Sequence, residues 1–516
     1  MRIRHFFLFL LSAALSPLLC QCTILPKAED KPVTAAISSP SKGPLAAASN
    51  KAARNRPKAH SSFLLLENNK AALDWRLALI DSAQSSLDIQ LYLWQSSASS
   101  RLLFNRVIQA ADRGVRVRIL VDEFLFSTDE KKIAAICRYH PNIDIRIFNI
   151  NRFRGNSLSK LTGFALNFSE LNRRMHNKTW TADQLFTIVG GRNVHDHYFG
   201  LDENYNFLDL DVLATGPVVS QVGKGFDLFW NDSKSYPGAL LSSRAKPEHI
   251  EEIKTELSEV LAGDQSTILK SFPIQPQNWS KKLGSLNSQM TTGLAEFIQD
   301  HPDPEKDERE VVSSLRRVLQ QKTTEVILIS PYFIPSKGAI EQLRITTDSG
   351  IKVGILAPSL ASNNQALAHS HYKKKRKGLL ENGARLFELK AEPSQFSRQL
   401  ADTDPVRSKI VSLHSKAIVG DRSLSFIGSL NLDPRAMVIN TECGLLIKSP
   451  EFSNHLLTTI RKMIEANDVW EVKKDQNGKL IWTNTDGQAL NTRPPAPFSK
   501  KILSFIGGLL PIENQL

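Results

Sequence analysis

The feature that most constrains the fold of this chain is an internal duplication, because one structural plan has to serve both copies. The first copy reads SSLDIQLYLW, SSRLLFNRVIQAADRG and VRVRILVDEF, and the second reads TEVILISPYFIP, KGAIEQLRITTDSG and IKVGILAPSL. A further apolar segment follows in each copy, IDIRIFN in the first and ARLFELK in the second. Apolar strands that alternate with helices indicate βαβ units with buried, largely parallel strands. We therefore predict an α/β fold of two equivalent halves, in which two mixed or parallel sheets are flanked by helices and related by a pseudo-two-fold axis.

The duplication also divides the chain into regions. Its 516 residues are too many for one ordinary domain, and a hydrophobic fraction of 41% is enough for two cores. We assign the first half to residues 62–265 and the second half to residues 308–470. Residues 266–307 are then a connecting segment, and residues 471–516 form a C-terminal extension.

A spaced polar pattern occurs once in each half, in RMHNKTWTADQLFTIVGGRN and in SLHSKAIVGDRSLSFIGSLN. Each copy has a histidine followed by lysine at +2, aspartate at +7, glycine at +14 and asparagine at +17. A lone His-x-Lys is usually a pair on a surface strand, but two copies at equal offsets in equivalent places indicate a functional site. The residues of the two copies are His176, Lys178, Asp183, Gly190 and Asn193, and His414, Lys416, Asp421, Gly428 and Asn431.

The spacing predicts how each polar set is brought together. Residues two apart in a strand share a face, so each histidine should lie beside its lysine. The apolar strand after the aspartate should return the chain and bring the asparagine back to that pair. If the halves face each other, they form one pocket with two histidines, two lysines and two asparagines.

Such a pocket suits a phosphodiester. Lysines neutralise the non-bridging oxygens, and asparagine amides donate hydrogen bonds to them. One neutral imidazole can attack phosphorus, while the other, protonated, gives its proton to the leaving oxygen. An acidic partner would orient each histidine, and the candidates are Asp209, Asp211 and Glu442. The scheme needs no metal and no cofactor, and the pair His195 and His197 has too few neighbouring ligands to predict one.

The doubled H-x-K-x4-D and G-x-x-N pattern resembles the phospholipase D superfamily. Within it the chain is most similar to the bacterial cardiolipin synthases of the type-C branch, through FLDLDVLATGPVV, GSLNLDPRAMVINTE, VWEVKKDQNGKLIW and the terminal LPIENQL. The resemblance implies a phosphohistidine mechanism in a site shared between the halves, with a duplicated phospholipase D-like fold. It implies two groups of site residues, the catalytic His176, Lys178, Asp183, His414, Lys416 and Asp421, and the phosphate ligands Asn193, Asn431 and Ser429. The two motif aspartates are often structural in the family.

One departure from the family pattern makes the two halves inequivalent. The first copy reads GGRN where the second reads GSLN, so Gly191 lacks the hydroxyl that Ser429 supplies. Arg192 adds a cation whose direction the sequence leaves open. We expect His176 to be the nucleophile and His414 the acid.

The start of the chain predicts export. MRIRHFFLFLLSAALSPLLCQC has a basic end, an apolar run too short to cross a bilayer comfortably, and a small-residue zone. Residues 1–22 therefore read as a signal peptide or lipoprotein signal, with Cys20 or Cys22 as the candidate lipid-modified residue; an uncleaved anchor is the alternative. Residues 23–61, rich in Ala, Pro, Ser and Lys, are predicted to be a flexible tether. We expect the protein on the membrane, at the periplasmic side or in the cell envelope.

A net charge of +13 favours anionic partners, and the expected partners are a phospholipid substrate and the membrane surface. The expected reaction makes cardiolipin from phosphatidylglycerol and a second phospholipid. The alternatives are a phospholipase D that uses water, a phosphodiesterase or nuclease, and a non-catalytic membrane-binding effector. The export signal argues against nucleic acid, and no protein partner is identified. The basic run HYKKKRKG is either a solvated helix face or a contact for anions, and PFSKKILSFIGGLLP either rests on lipid or packs on the domain.

Overall fold

The computed structural model describes residues 23–28, 31–54, 56–122, 129–154, 162, 167–263, 265–319 and 324–516. The expected signal at residues 1–22, with Cys20 and Cys22, lies outside the described residues. Within the described ranges, no helix combines the length and the apolar character needed to cross a bilayer.

The first half and the segment after it contain a mixed sheet covered by helices. The strands are β1 (Thr23–Ile24), β2 (Ser61–Leu66), β3 (Ser86–Leu91), β4 (Arg116–Asp122), β5 (Ile143–Phe148), β6 (Phe153–Arg154), β7 (Thr179–Ala182), β8 (Phe186–Gly190), β9 (Tyr205–Leu208), β10 (Asp211–Thr215), β11 (Ser235–Pro237) and β12 (Thr291–Gln299). The helices are α1 (Pro44–Ala53), α2 (Asn69–Ser82), α3 (Ala98–Asp112), α4 (Glu130–Tyr139), α5 (Phe168–Leu171), α6 (Pro217–Asn231), α7 (Glu248–Ala262), α8 (Gln265–Ile268) and α9 (Ser280–Leu286).

The second half repeats this plan and adds a C-terminal meander and helix. Its strands are β13 (Glu325–Ile329), β14 (Lys352–Pro358), β15 (Arg385–Leu389), β16 (Ile410–Leu413), β17 (Ala417–Gly420), β18 (Leu424–Gly428), β19 (Cys443–Lys448), β20 (Val469–Lys474), β21 (Leu480–Thr483) and β22 (Ala489–Leu490). Its helices are α10 (Glu310–Leu319), α11 (Lys337–Asp348), α12 (Ala366–Glu381), α13 (Gln395–Ala401), α14 (Pro434–Val438), α15 (Pro450–Glu465) and α16 (Phe498–Leu509).

The two sheets have the same strand order, which confirms the predicted duplicated α/β fold. The first runs β5-β4-β3-β7-β8-β10-β2, with β3, β4 and β5 parallel and the other pairs antiparallel. The second runs β15-β14-β13-β17-β18-β19-β12 with the same senses. Within the parallel part Ile119 pairs with both Ile89 and Ile145, and all three are buried because helices cover both faces of the sheet.

Strand β12 joins the two sheets, although the sequence predicts only a connection there. Its residues 291–293 pair with β2 of the first sheet, and its residues 294–299 pair with β19 of the second. One apolar cluster combines Phe63 and Val189 of the first half with Ile329 and Leu445 of the second. The hydrophobic core therefore continues from one half into the other, and the halves are held in a fixed relation.

The segment predicted to be a flexible tether is instead packed on the first half over much of its described length. The Thr34 backbone amide donates to Oδ1 of Asn231 at the end of α6, and Trp230 Nε1 donates to the Thr34 hydroxyl. Arg146, itself buried, donates to the Pro32 carbonyl. The tether prediction fails here because polar side chains of the first half satisfy the extended backbone, which a composition rich in Ala, Pro and Ser does not reveal.

The predicted C-terminal extension starts inside the second sheet. β20 pairs antiparallel with β15 and continues the sheet into β21 and β22. The predicted boundary at residue 471 therefore falls within a strand, and α16 then packs on α12 of the second half.

Candidate active site

The two motif histidines lie where the halves meet, and each is tied to the other half by its backbone. The His176 amide donates to the Thr441 carbonyl at 2.9 Å, and the His414 amide donates to the Leu208 carbonyl at 2.9 Å. Strands β9 and β16 pair in parallel beside this junction. The site is therefore assembled by the pseudo-two-fold packing of the halves, as the spacing predicts.

Each histidine and its lysine lie in a short stretch just before a strand rather than within it. The Lys178 ammonium folds back and donates to the His176 carbonyl at 2.6 Å, and Lys416 does the same to His414 at 2.5 Å. Both lysines are almost fully buried, at 2% and 1% exposure. Lys416 also lies 2.9 Å from Nδ1 of the His414 ring, and the charge of Lys178 is near enough to the His176 ring to lower its pKa.

Each histidine is held by a carboxylate from the opposite half. His176 Nδ1 lies 2.8 Å from Oε2 of Glu442, and His414 Nδ1 lies 2.5 Å from Oδ2 of Asp209. These acids directly follow the residues that accept the histidine amides, so the backbone contact and the side-chain contact form one unit. A carboxylate on Nδ1 fixes the proton there and leaves the lone pair of Nε2 for chemistry.

The third candidate orienting acid, Asp211, contacts neither histidine, and that part of the prediction is wrong. Its carboxylate pairs with Arg76 at 3.0 Å and with Arg192 at 3.3 Å. Successive residues of a strand point to opposite faces, so Asp209 and Asp211 would share a face if the strand were regular. β10 begins only at Asp211, however, and this break allows the two acids to diverge.

The direction of Arg192, which the sequence leaves open, is inward and away from the pocket. Its side chain is fully buried and donates to Oδ1 of Asn69 and to the Leu66 carbonyl. It also donates to the Asp209 carbonyl. Arg192 therefore supports the segment that carries Asp209 and does not line the phosphate site.

The GG of the first motif is explained by the acid that orients His414. A Cβ on Gly191 would lie 2.3 Å from Oδ1 of Asp209, which is closer than any side chain can approach. In the second half Ser429 occupies the matching place, and its hydroxyl donates to Glu442. The short acid Asp209 thus fills the space that the serine side chain takes beside the longer Glu442.

We expect Gly191→Ser to lower kcat roughly 10²-fold, because an added side chain displaces Asp209 and tilts His414. The reciprocal change, Ser429→Gly, opens space and removes one hydrogen bond, so a loss of about tenfold or less is expected. Steady-state kinetics of both variants, with melting temperatures as the folding control, test this. Equal losses in the two variants would contradict the inequivalence.

The two motif asparagines are not equivalent. Asn193 accepts from the Leu93 amide at 3.2 Å and donates to the Tyr198 hydroxyl at 2.9 Å. Asn431 is buried, and its side-chain oxygen has no partner among the residues that the structure describes. Because amide oxygen and nitrogen are assigned from contacts, this unpartnered group can turn its NH2 to a phosphate oxygen. Asn431 is therefore better placed than Asn193 to bind phosphate.

The motif aspartates do not reach the pocket, so their assignment to the catalytic set is wrong. Asp183 accepts from the backbone amides of Gln84, Ser85 and Ser86 at the start of β3. Asp421 accepts from the backbone amides of residues 324 and 325 at the start of β13. Both lie at the turn after β7 or β17 with positive φ angles, and each ties that turn to the neighbouring strand. Their role is structural.

Burial and the lysines govern the charge of the site. Burial and the nearby Lys178 and Lys416 hold the pKa of His176 well below its usual range. Burial and Lys416 lower the pKa of His414 to about 3, even though Asp209 acts in the opposite direction. Burial also lowers the pKa of Lys178 to about 7 and that of Lys416 to about 8. Without an anion in the site both imidazoles are thus neutral at pH 7, and the site is poised to take up protons when an anion binds.

The pKa values of the two carboxylates are shifted in opposite directions by their surroundings. Burial raises the pKa of Glu442 to about 8. Burial also acts to raise the pKa of Asp209, but His414 and Lys416 outweigh it and the net shift is downward. Asp209 is therefore the acid that stays ionised and can stabilise an imidazolium on its histidine.

Aromatic rings flank both histidines, and the motif spacing does not reveal them. Tyr92, the aromatic residue near the end of the repeated segment SSLDIQLYLW, lies edge-on to His176 at 4.9 Å between centroids. Tyr198 and Phe207 lie 5.1 and 4.7 Å from the ring of His414. Tyr332, the counterpart of Tyr92 in the sequence repeat, donates instead to Asn364. Tyr198 is not part of the repeated motif, so the sequence spacing does not predict it. The loop after β8 brings it to the ring of His414.

Comparison with known proteins agrees with this geometry. Residues 77–230 and 315–464, which contain one motif each, match the family model described as "Cardiolipin synthase, PLD-like domain". Cardiolipin synthase C of Escherichia coli (strain K12) is 33% identical over 457 residues, which cover 87% of this chain and 94% of that protein. The major cardiolipin synthase ClsA of Bacillus subtilis (strain 168) is 23% identical over 387 residues, which cover 75% of this chain and 65% of that protein. The chain therefore belongs to the cardiolipin synthase family of phospholipase D-like enzymes.

A solved structure supports the fold independently. Phosphatidylserine synthase of Haemophilus influenzae Rd KW20 matches with a TM-score of 0.56 at 15% sequence identity. The match covers 91% of this chain and 100% of that chain. Because the identity is low, this likeness concerns the fold alone.

Proposed function

We propose that this protein is a phosphatidyltransferase that makes cardiolipin through a phosphohistidine intermediate. The observation that carries the proposal is the pair of reciprocal histidine–carboxylate contacts around two buried lysines. A phosphodiester needs a nucleophile, an acid and positive charge in one place, and this arrangement supplies all three. The expected donor is a phospholipid and the expected acceptor is a hydroxyl of phosphatidylglycerol.

In the first step Nε2 of His176 attacks phosphorus, and the bond from phosphorus to the leaving alcohol breaks. The electron pair of that bond stays on the alcohol oxygen, which takes a proton from Nε2 of His414. As the phosphorylated imidazole becomes positive, its charge favours the ionised form of Glu442, which lies on Nδ1 and then offsets that charge. In the second step His414 takes the proton of the acceptor hydroxyl, whose oxygen attacks phosphorus and releases His176 as a neutral imidazole.

The two histidine–carboxylate pairs differ in ways that support these roles. An ionised Asp209 favours a protonated His414, as an acid requires. The phosphate charge adds to this, because an anion beside His414 raises the pKa of the imidazole above its value in the empty site. His176 pairs with an acid of raised pKa and keeps its neutral form, as a nucleophile requires.

A largely apolar cavity in the first half supports a lipid substrate over a nucleic acid. It has a volume of about 430 Å³ and is lined by Trp94, Phe104, Ile119, Ile145 and Leu257, among others. One lining residue, Trp94, pairs through its backbone with Val194, the residue after Asn193. A cavity of this size and lining can hold part of an acyl chain.

The lipid products decide between the candidate functions. Purified protein incubated with phosphatidylglycerol, alone and with a second phospholipid, is expected to yield cardiolipin in the mass spectrum. Phosphatidic acid without cardiolipin would instead establish a phospholipase D. No lipid turnover together with cleavage of a nucleic acid would establish a nuclease, and no turnover of either would favour a binding effector.

Anion binding should be coupled to proton uptake. Lys178 and Lys416 have pKa values of about 7 and 8 in the empty site, and a bound anion raises both. Inorganic sulfate, which does not titrate in this range, should therefore bind with net proton uptake near pH 7.5, and its affinity should fall as the pH rises from about 7 to 9. Titration calorimetry in buffers of different ionisation enthalpy measures this, with Lys178→Met expected to remove most of the uptake. Proton release on binding would contradict the electrostatics described above.

We also propose that the protein is exported and held at the membrane, with lipid on Cys20 or Cys22. The support is the layout of residues 1–22. Mass spectrometry of the mature N-terminus tests it, since a diacylglycerol adduct on one of these cysteines is expected. An intact unmodified N-terminus would refute the lipid anchor.

A further inference from the structure

The C-terminal helix α16 leaves nearly all of its large apolar side chains in solvent. Phe498, Phe505 and Leu509 are 78%, 66% and 71% exposed. The other exposed apolar residues of this segment are Ile502, Leu503, Ile506 and Leu510. A soluble surface seldom carries so many large apolar side chains in one short helix, and a patch of this kind marks a surface that another apolar phase covers.

The packing of α16 explains why these side chains cannot turn inward. The helix contacts α12 through small residues, since only Ser504 and Gly507 of α16 are buried. A Cβ on Gly507 would lie 2.6 Å from Cδ2 of Leu367, so the two helices are in close contact there. Lys373 of α12 donates to the Ser504 carbonyl and Lys374 to the Gly508 carbonyl. The helix is thus held flat on the domain with its apolar side outward.

Positive charge lies beside this helix, where Lys373, Lys374 and Lys500 also donate to backbone carbonyls. Residues 491–512 contain Arg493, Lys500 and Lys501 and no acidic residue. Lys373 lies close enough to Arg493 and Lys374 for their charges to repel one another. A helix with an outward apolar face and flanking lysines matches the surface of a bilayer that contains anionic phospholipid, where apolar side chains enter and cations meet the headgroups.

The chain after α16 connects this surface to the candidate active site. The Arg435 amide of α14 donates to the Leu516 carbonyl at 2.9 Å, and Asn172 Nδ2 donates to Oε1 of Gln515 at 3.2 Å. α14 follows Asn431, and Asn172 precedes His176 by four residues. The C-terminus therefore links the apolar helix to both halves of the site.

We propose that α16, with the flanking cations of residues 373–374 and 493–501, is a docking surface for an anionic phospholipid bilayer. The surface holds the enzyme on the membrane that contains its substrate, a consequence that rests on the proposed function. A second copy of this chain is the rival occupant, and it would need no anionic lipid.

The test uses the full chain and a pair of variants on exposed helix positions. Phe505→Glu combined with Leu509→Glu should weaken binding to vesicles of phosphatidylglycerol and phosphatidylethanolamine by roughly tenfold or more. Ile345→Glu is the matched control, because Ile345 is 50% exposed on a different helix, α11. Unchanged vesicle binding by the double variant, measured by co-sedimentation, would overturn the proposal.

Hydrogen–deuterium exchange separates α16 from other membrane contacts of the same chain. Vesicles of phosphatidylglycerol and phosphatidylethanolamine should slow exchange across residues 498–509, while phosphatidylcholine vesicles should have little effect. Equal protection by both vesicle types would overturn the part of the proposal that requires anionic lipid. Self-association that the double variant abolishes, without lipid-dependent protection, would assign the surface to a second copy and overturn the proposal.

Turnover distinguishes failure of the docking surface from failure of the proposed function. The double variant should lose activity on vesicles and keep the wild-type rate on dispersed short-chain phosphatidylglycerol. If the wild type makes no cardiolipin but its vesicle binding still depends on α16, the proposed function fails and the docking surface stands. If the wild type makes cardiolipin and the double variant acts normally on vesicles, the docking surface is refuted.

Discussion

Replacing either motif histidine by alanine is expected to lower cardiolipin formation by about 10³-fold or more. His176→Ala removes the proposed nucleophile, and His414→Ala removes the acid that protonates the leaving alcohol. Each variant keeps the backbone contact of the histidine amide to the other half, so folding should survive. Initial rates by lipid mass spectrometry, with melting temperatures, measure the effect.

An activated substrate separates the two roles. A phosphatidyl ester of p-nitrophenol has a leaving group that needs no proton, so His414→Ala should still release nitrophenol, and His176→Ala should not. His455→Ala is the control, since this histidine pairs with Glu67 at the surface and lies outside the site. If His176→Ala is the variant that reacts with the activated ester, the roles are reversed. If either single variant keeps full activity on phosphatidylglycerol, a shared site is refuted.

The sequence was sufficient to predict the parts of this molecule that repeat. Two copies of one pattern at equal offsets predict two equivalent halves, and the order of apolar segments predicts which strands are parallel. The facing of His176 and His414 follows from the same symmetry. Contacts that cross between the halves are harder to predict, because nothing in the spacing pairs His176 with an acid 266 residues away.

Residues of one type in one motif can also have different tasks, and spacing alone does not separate them. Asp209 and Asp211 are two residues apart, yet one orients His414 and the other neutralises Arg76. The motif aspartates Asp183 and Asp421 recur as strictly as the histidines because a turn has to be fixed in each half. Recurrence indicates a shared constraint, and only the contacts show whether that constraint is chemical or structural.

The second large effect on kcat is expected from replacing the two acids that contact the histidines from the opposite halves. Asp209→Asn and Glu442→Gln should each lower kcat by about 10²- to 10⁴-fold, because an amide can hold the imidazole but cannot carry the negative charge that balances an imidazolium formed during the reaction. Asp421→Asn is the matched control, as it removes a carboxylate of the motif outside the pocket. It should cost about 1–2 kcal/mol of stability and leave kcat within a few-fold.

Combining these variants with the histidine variants tests which acid serves which histidine. With the p-nitrophenol ester, Asp209→Asn should have little further effect in the His414→Ala background, because the acid acts through a histidine that is already absent. Glu442→Gln should lower the rate in that background as much as it does in the wild type, because it acts on His176. The opposite result, in which Asp209→Asn remains harmful and Glu442→Gln does not, would pair each histidine with the acid of its own half. That outcome would exclude the reciprocal contacts from which the mechanism is built.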